Sequence, residues 1–251
     1  MILVLKVRLV FKDFFNRYLL FRNLGSRDLA ILEKYFGYYQ VLPEQEKKLF
    51  TKRVAKFIRL KQFIPRGGFK VVSSEMKVLI AASAVQITFG HPAVYFRHFW
   101  RILIYPDDYY STITKKYHKG EVHPGGLIVL SWKNFIKGYV EHDSGVNLAL
   151  HEMAHALHLE NAINNDEYDF INAGLIKDLH HMFKALRKQE DKNRFFRDYA
   201  WINFHEFFAV CIENFFERPA KLLENDKSLY HLLSQILKQD TAKLYAPAKA
   251  I

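Results

Sequence analysis

Apolar residues recur every three or four positions along the second half of the chain, in stretches separated by polar turns. This spacing predicts helices over 144–160, 173–189, 205–217 and 227–238. Pro219 is predicted to start a turn between the last two of these helices. Asp143 or Ser144 is a plausible N-cap for the first of them, because short polar side chains satisfy the free amides of a first turn.

The first half of the chain has fewer and clearer boundaries. One helix is predicted to begin at Leu42 and to end before the proline and glycine turn at 65–68. Ser73 or Ser74 then caps another helix, which ends near Gly90. The sequence therefore predicts a chain in which helices predominate.

Two short apolar runs interrupt this helical pattern. Residues 102–105 precede a proline, and residues 127–131 follow a Pro-Gly-Gly turn. Short apolar runs bounded by turn residues are typical of buried strands. The predicted fold class is therefore α+β, mostly helical, with a small β-sheet.

The N-terminus is predicted to be a helical extension, residues 1–42, ahead of a larger domain over 43–251. It is expected to form one or two helices broken near Gly25, and aromatic residues alternate with basic ones before that point. The apolar run at the start of the sequence is too short and too interrupted by charged residues to span a bilayer, and no signal-peptide cleavage site follows it. We expect a cytoplasmic protein whose extension packs on its own surface; the alternative is contact with an anionic membrane surface on the cytoplasmic side.

Composition changes this picture little. The 251 residues carry a formal net charge of +11, which favours acidic partners. However, the lysines and arginines are dispersed and no nucleic-acid-reading motif is recognisable, so no nucleic-acid partner is expected. The single cysteine, Cys211, lies in an apolar segment and is predicted to be a core residue.

The chemistry is concentrated in the segment His151-Glu-Met-Ala-His155. On a helix, positions i and i+4 share one face, so both imidazoles can reach a single metal ion. Glu152 projects beside that face, where a carboxylate can take a proton from water activated by the metal. The pattern therefore predicts two zinc ligands and a general base.

A catalytic zinc site usually needs a third protein ligand. His158 is two helical turns from His151, too far for comfortable coordination, and Glu160 points away from the histidine face. Glu206 and Glu213 lie in a later apolar helix, where a carboxylate needs a partner. From the pattern alone, a ligand and a solvent-facing carboxylate remain equal alternatives for Glu206.

These residues resemble a known family. The His151 motif, followed by Tyr199 and then by Glu206-Phe-Phe-Ala-Val, is similar to the Mlc titration factor A family of zinc metallopeptidases. The same two blocks are similar to the catalytic domain of anthrax lethal factor. The resemblance covers roughly residues 43–240 and leaves the first 40 outside it.

The resemblance implies a zincin-like metallopeptidase domain of the gluzincin type with one Zn²⁺. It implies that His151, His155 and Glu206 bind the zinc, that Glu152 is the base and that Tyr199 donates to the oxyanion. It makes Glu213 a residue that supports the ligands. One position departs from the family pattern: His158 stands where an aspartate often braces a ligand imidazole, which puts metal affinity in question.

The functional hypothesis is hydrolysis of peptide bonds in a peptide or protein substrate. Strand 127–131 could offer an open edge to an extended peptide, with Gly125 and Gly126 allowing close approach; a structural role for that strand is the equal alternative. The competing function is a regulatory protein that sequesters a transcription factor or another partner, with incidental hydrolysis. A purely structural zinc site is disfavoured because the chain has one cysteine.

Overall fold

The structure, a computed structural model, describes residues 23–111, 114–141, 144–188 and 195–246. Helices predominate and a small mixed sheet lies among them, so the predicted α+β class is confirmed. The aromatic and basic helix predicted before Gly25 lies outside the described ranges. Gly25 itself precedes the first described helix, as the predicted break requires.

The strands of the described ranges form two sheets. In chain order they are β1 (Gln62–Pro65), β2 (Arg101–Tyr105), β3 (Tyr109–Ser111), β4 (Lys116–His118), β5 (Gly120–His123) and β6 (Leu127–Ser131). The four-stranded sheet has the order β1-β2-β6-β5, in which β1, β2 and β6 are parallel and β5 is antiparallel. β3 and β4 form a separate antiparallel hairpin.

The prediction that 127–131 offers an open edge is wrong. β6 lies between β2 and β5, and both of its sides are paired. Its apolar character reflects burial on both faces of the sheet, because Ile128 and Leu130 are fully buried on one face and Val129 is buried on the other. The edge strand next to β6 is β5, whose sequence Gly-Glu-Val-His is too polar and too short to be recognised as a strand from its pattern.

The helices before the catalytic motif are α1 (Ser26–Tyr35), α2 (Gly37–Val41), α3 (Glu44–Leu60), α4 (Ser74–Thr88) and α5 (Trp132–Val140). Those from the motif onward are α6 (Leu148–Ala162), α7 (Ala173–Arg187), α8 (Phe204–Glu217), α9 (Pro219–Asn225), α10 (Lys227–Leu237) and α11 (Thr241–Leu244). A short 3-10 helix, Asp198–Trp201, precedes α8. The four helices predicted after residue 144 match α6, α7, α8 and α10, whereas Pro219 opens a helix instead of a turn.

Helix α6 begins later than the sequence suggested. Asn147 is its N-cap and accepts a hydrogen bond from the Leu150 amide at 3.1 Å, so Ser144 is not the cap. Asp143, the other predicted cap, lies outside the described residues. The amide of Asn147 donates to the buried carboxylate of Glu213 at 2.7 Å, which fixes the start of the helix from another part of the chain.

The core surrounds α6, which packs against both α4 and α8. Small residues such as Ala81, Ala82, Ala154 and Ala156 are fully buried and let these helices approach closely. Cys211 is fully buried in α8, which confirms its prediction as a core residue, and burial raises the pKa of its thiol.

The segment of α1 and α2 belongs to the same core: Leu32 of α1, Phe36 between the two helices and Tyr38 of α2 pack with the residues of α3 and α4. The division of the chain at residue 42 stays a prediction. Among the described residues, none of the helices has the length and apolar character that a bilayer crossing requires.

Candidate metal centre

Helix α6 places the two motif histidines as their spacing predicts. The rings of His151 and His155 lie 4.7 Å apart at 87° to one another, and their Nε2 atoms are 3.1 Å apart. His151 is buried and His155 is half-buried, because the helix packs on the core along most of its surface. The pair therefore faces a partly enclosed site instead of bulk water.

Glu206 reaches this site from the first turn of α8. Asn203 caps that turn, because its side-chain Oδ1 accepts a hydrogen bond from the Glu206 amide at 3.0 Å. The Oε2 atom of Glu206 lies 3.1 Å from Nε2 of His151 and 3.5 Å from Nε2 of His155. The sequence left open whether the Glu206 carboxylate faces a metal site or solvent. In the structure the carboxylate faces the histidine pair.

The three atoms have the separations that a tetrahedral ion needs. Zinc bonds of about 2.0–2.1 Å at tetrahedral angles place neighbouring ligand atoms about 3.3–3.4 Å apart. The separations here are 3.1, 3.1 and 3.5 Å. Among the described residues, this is the one cluster of three histidine, cysteine or acidic side chains close enough to hold a metal ion.

Glu213 supports this arrangement from the far side of His151. It lies on α8, is fully buried, and its Oε1 accepts a hydrogen bond from Nδ1 of His151 at 2.6 Å and another from Arg197 at 2.5 Å. A proton held on Nδ1 leaves the lone pair of Nε2 directed at His155 and Glu206. Glu213 therefore selects the tautomer in which His151 can bind a cation.

The electrostatics of the cluster favour a positive charge. Burial lowers the pKa of His151, but hydrogen bonds with Glu206 and Glu213 outweigh it and raise that pKa to about 10. Burial raises the pKa of Glu206, yet hydrogen bonds from the two histidines lower it well below its usual range. A cation and a proton therefore compete for the same lone pairs, which is the usual behaviour of a metal site.

Glu152 stands beside the three atoms and not among them. Its side chain is 5% exposed, and burial raises its pKa to about 7. Two cavities, of about 650 and 410 Å³, meet at this point. Both are lined by residues on either side of the cluster, including His118, Gly120, His151, Glu152 and Tyr199.

Tyr199 lies in the 3-10 helix that precedes α8. Its ring centre is 5.7 Å from that of His151, and the guanidinium of Arg197 lies 5.4 Å from the ring of Tyr199. Burial and the neighbouring Glu206 carboxylate raise the pKa of Tyr199 to about 12. Its hydroxyl therefore keeps its proton at neutral pH and can donate a hydrogen bond into the site.

The two remaining candidates from the sequence lie elsewhere. Glu160 accepts hydrogen bonds from the His98 amide and from Asn165, so it faces away from the histidine pair as expected. The ring of His158 packs against those of His205 and Phe208, and burial lowers the pKa of His158 to about 4.

Sequence reasoning missed two residues at the site. Arg197 follows a polar, charged stretch and has no motif that would single it out, but its contact with Glu213 places it behind His151. Gly120 opens β5 and lies against Glu152. Neither carries a local signal, because each acts through a residue distant in the chain.

Comparison with known proteins assigns the chain to a family. The profile of the glucose-regulated metallo-peptidase M90 family matches residues 16–238. The chain therefore belongs to that family of metallopeptidases. Mlc titration factor A of Escherichia coli is 27% identical over 223 residues, which cover 79% of this chain and 81% of that protein. The protein of the same name from Shigella flexneri has the same identity and coverage.

An uncharacterized protein of Synechocystis sp. is 25% identical over 241 residues, covering 88% of this chain and 86% of the relative. The similarity therefore extends over most of both chains in each case. The predicted resemblance to the Mlc titration factor A family is confirmed.

Proposed function

We propose that the protein is a zinc-dependent peptidase of the gluzincin type, in which His151, His155 and Glu206 hold one zinc ion. The observation that carries this proposal is the set of separations among their three ligand atoms, 3.1, 3.1 and 3.5 Å. The donor set of two imidazoles and one carboxylate is one that catalytic zinc commonly takes. When bound, zinc lowers the pKa of a coordinated water molecule and polarises a carbonyl group.

Glu152 is the proposed general base. Its carboxylate borders both cavities, and its raised pKa of about 7 lies near neutral pH, where a base can both accept and return a proton. It would take a proton from the attacking water on its carboxylate oxygen and deliver it to the leaving amine. Family membership supports this role, because hydrolysis of a peptide bond requires that proton transfer.

Tyr199 is the proposed oxyanion donor. It borders both cavities and keeps its phenolic proton, so its hydroxyl can donate to the oxygen that gains charge as water attacks. One donor of this kind typically contributes about 10²–10³-fold to the rate. Tyr199 is 45% exposed, which leaves its hydroxyl reachable from the cavity.

An extended peptide is proposed to pair with β5. The Ser131 amide donates to the Lys119 carbonyl at 2.7 Å, so these two residues form a hydrogen-bonded pair of the antiparallel ladder. Hydrogen-bonded and non-hydrogen-bonded pairs alternate along an antiparallel ladder, so Glu121 is the next residue of β5 that bonds to β6. Gly120 and Val122 therefore direct their amides and carbonyls away from β6. Both of these residues line the cavity beside Glu206, where a substrate backbone can bind them.

The second candidate is a regulatory binding role. The relatives named Mlc titration factor A suggest by that name that they bind a regulator, and this chain would do the same for a transcriptional regulator. Gel filtration with purified Mlc tests it. Co-elution with the Glu152→Gln variant, with Mlc left intact by the wild type, would favour binding as the principal function.

The deciding experiment pairs metal analysis with digestion of a peptide library. We expect about one zinc per wild-type chain and cleavage of library peptides. Glu152→Gln should keep its zinc and lose hydrolysis, while Glu224→Gln, a change at an exposed glutamate of α9, should behave like the wild type. Full activity in Glu152→Gln would rule out the proposed base.

A further inference from the structure

Gly120 and Glu152 are in unusually close contact. A Cβ atom built on Gly120 would lie 2.5 Å from Oε1, 2.7 Å from Cδ and 2.7 Å from Cγ of Glu152. Carbon atoms do not approach closer than about 3.5 Å without repulsion. Three atoms of the Glu152 side chain therefore occupy the space that any other residue at position 120 would need.

The backbone at Gly120 does not itself require glycine. Positive φ angles, which residues other than glycine rarely adopt, occur at four described glycines: Gly67, Gly68, Gly126 and Gly145. The φ angle of Gly120 is not positive. Gly120 lies in β5 in extended conformation and pairs with Leu130 of β6. Glycine weakens a strand, so its presence here needs a spatial reason.

Packing, and not hydrogen bonding, holds the Glu152 carboxylate. Within the described residues the charged neighbours act on it through space, and no side chain or amide donates a hydrogen bond to it. A buried carboxylate without a donor can rotate unless neighbouring atoms restrict it. The surface of Gly120 is the contact that restricts it on the strand side.

We propose that Gly120 is a positioning residue for Glu152. Because Gly120 has no side chain, the Glu152 side chain packs directly against the strand backbone, and this contact holds the carboxylate beside the histidine pair. This inference deepens the proposed peptidase function and rests on it. The contact joins the strand proposed to bind the substrate backbone to the group proposed to move the proton. A substrate paired with β5 would thus be aligned with the base through one residue.

Gly120→Ala should separate positioning from binding. Alanine keeps the outward amide and carbonyl of residue 120, so KM should stay within about twofold of the wild type. Displacement of Glu152 by the added carbon should lower kcat about 10- to 100-fold, the range expected for a reacting group displaced by about 1 Å. Zinc content should not change, because the three atoms nearest to a Cβ at position 120 all belong to Glu152 and not to a proposed ligand.

A stability cycle on metal-free protein tests the contact without using activity. Gly120→Ala should lower Tm by roughly 2–10 °C, the range expected for an overpacked site. Glu152→Ala removes Cγ, Cδ and Oε1, so the same glycine substitution should cost little in that background. Gly37→Ala is the matched control, because a Cβ there meets nothing within 4 Å.

The kinetic and stability results together test the positioning role of Gly120 separately from the proposed peptidase function. A Tm loss that disappears in the Glu152→Ala background, together with a kcat loss at constant KM, supports the positioning role. An equal Tm loss in both backgrounds, or an unchanged kcat in Gly120→Ala, overturns it. If the wild type hydrolyses no peptide, the proposed function fails, and the stability cycle alone then shows whether Gly120 seats Glu152.

Discussion

The carboxylate of Glu213 accepts a hydrogen bond from Nδ1 of His151 at 2.6 Å, although 62 positions separate the two residues in the chain. The same carboxylate accepts from Arg197 and from the amide of Asn147 at the start of α6. Glu213 thereby joins α6 to α8 and fixes the orientation of a proposed ligand. At position 158, where the family pattern often has an aspartate, His158 packs against His205 and Phe208.

Replacing Glu213 with glutamine should weaken metal binding by about 10- to 100-fold, the usual effect of losing a carboxylate behind a ligand histidine. Glutamine carries no negative charge, and its NH2 group cannot accept from the Asn147 amide as Oε2 of the carboxylate does, so Nδ1 of His151 is held less firmly as a donor. Competition against a calibrated chelator measures the affinity. Glu224→Gln serves as the control, and equal affinity in the two variants would contradict the bracing role.

Glu206→Ala should have a larger effect than Glu213→Gln. It removes one of three proposed ligand atoms, so dialysed protein should retain far less than one zinc per chain, whereas wild type should retain about one. Metal content by mass spectrometry after dialysis is the measurement. Retention of stoichiometric zinc in Glu206→Ala would show that the third ligand is another residue.

Tyr199→Phe should lower kcat by about 10²–10³-fold, since it removes one donor to the developing oxyanion. KM and zinc content should be unchanged. Tyr168→Phe is the matched control, because Tyr168 is also about half exposed but does not line either cavity at the site. A loss that appears in KM instead of kcat would assign Tyr199 to substrate binding.

Val122→Pro should raise KM while leaving zinc content unchanged. Proline removes the outward amide of residue 122, which points away from β6, so the ladder within the sheet keeps its hydrogen bonds. Val122→Ala loses the side chain and retains the amide, and it should have the smaller effect on KM. Equal KM values for the two variants would argue against backbone pairing along β5.

His158 should make the metal-free protein less stable in acid. Burial lowers its folded-state pKa to about 4, below the unfolded value of 6.5, so the unfolded chain binds more protons between those two values. Stability therefore falls as pH falls from 6.5 to 4, by up to about 3 kcal/mol. His158→Leu should show a smaller difference in unfolding free energy between pH 7 and pH 4, measured in urea.

The control for that measurement is Phe208→Leu, which removes a ring in contact with His158 but leaves the imidazole in place. This variant should be less stable at both pH values by a similar amount. If His158→Leu and wild type lose the same free energy in acid, the loss comes from other groups.

The sequence by itself determined the helical character of the chain and the shared face of His151 and His155. Both follow from local periodicity, which depends only on residues a few positions apart. It also determined that Cys211 lies in the core. It left the third ligand open, because no local pattern distinguishes a buried carboxylate that meets a metal from one that faces solvent.

Only the tertiary structure decided which distant residues meet. Glu206 lies 55 positions after His151 and reaches it because α8 packs along α6, a contact between two helices that no local spacing encodes. The prediction of an open edge at β6 is wrong for the same reason: the pairing order places β6 between β2 and β5 and leaves β5 at the edge. Pairing order and helix packing depend on long-range burial, which the amino-acid pattern constrains but does not specify.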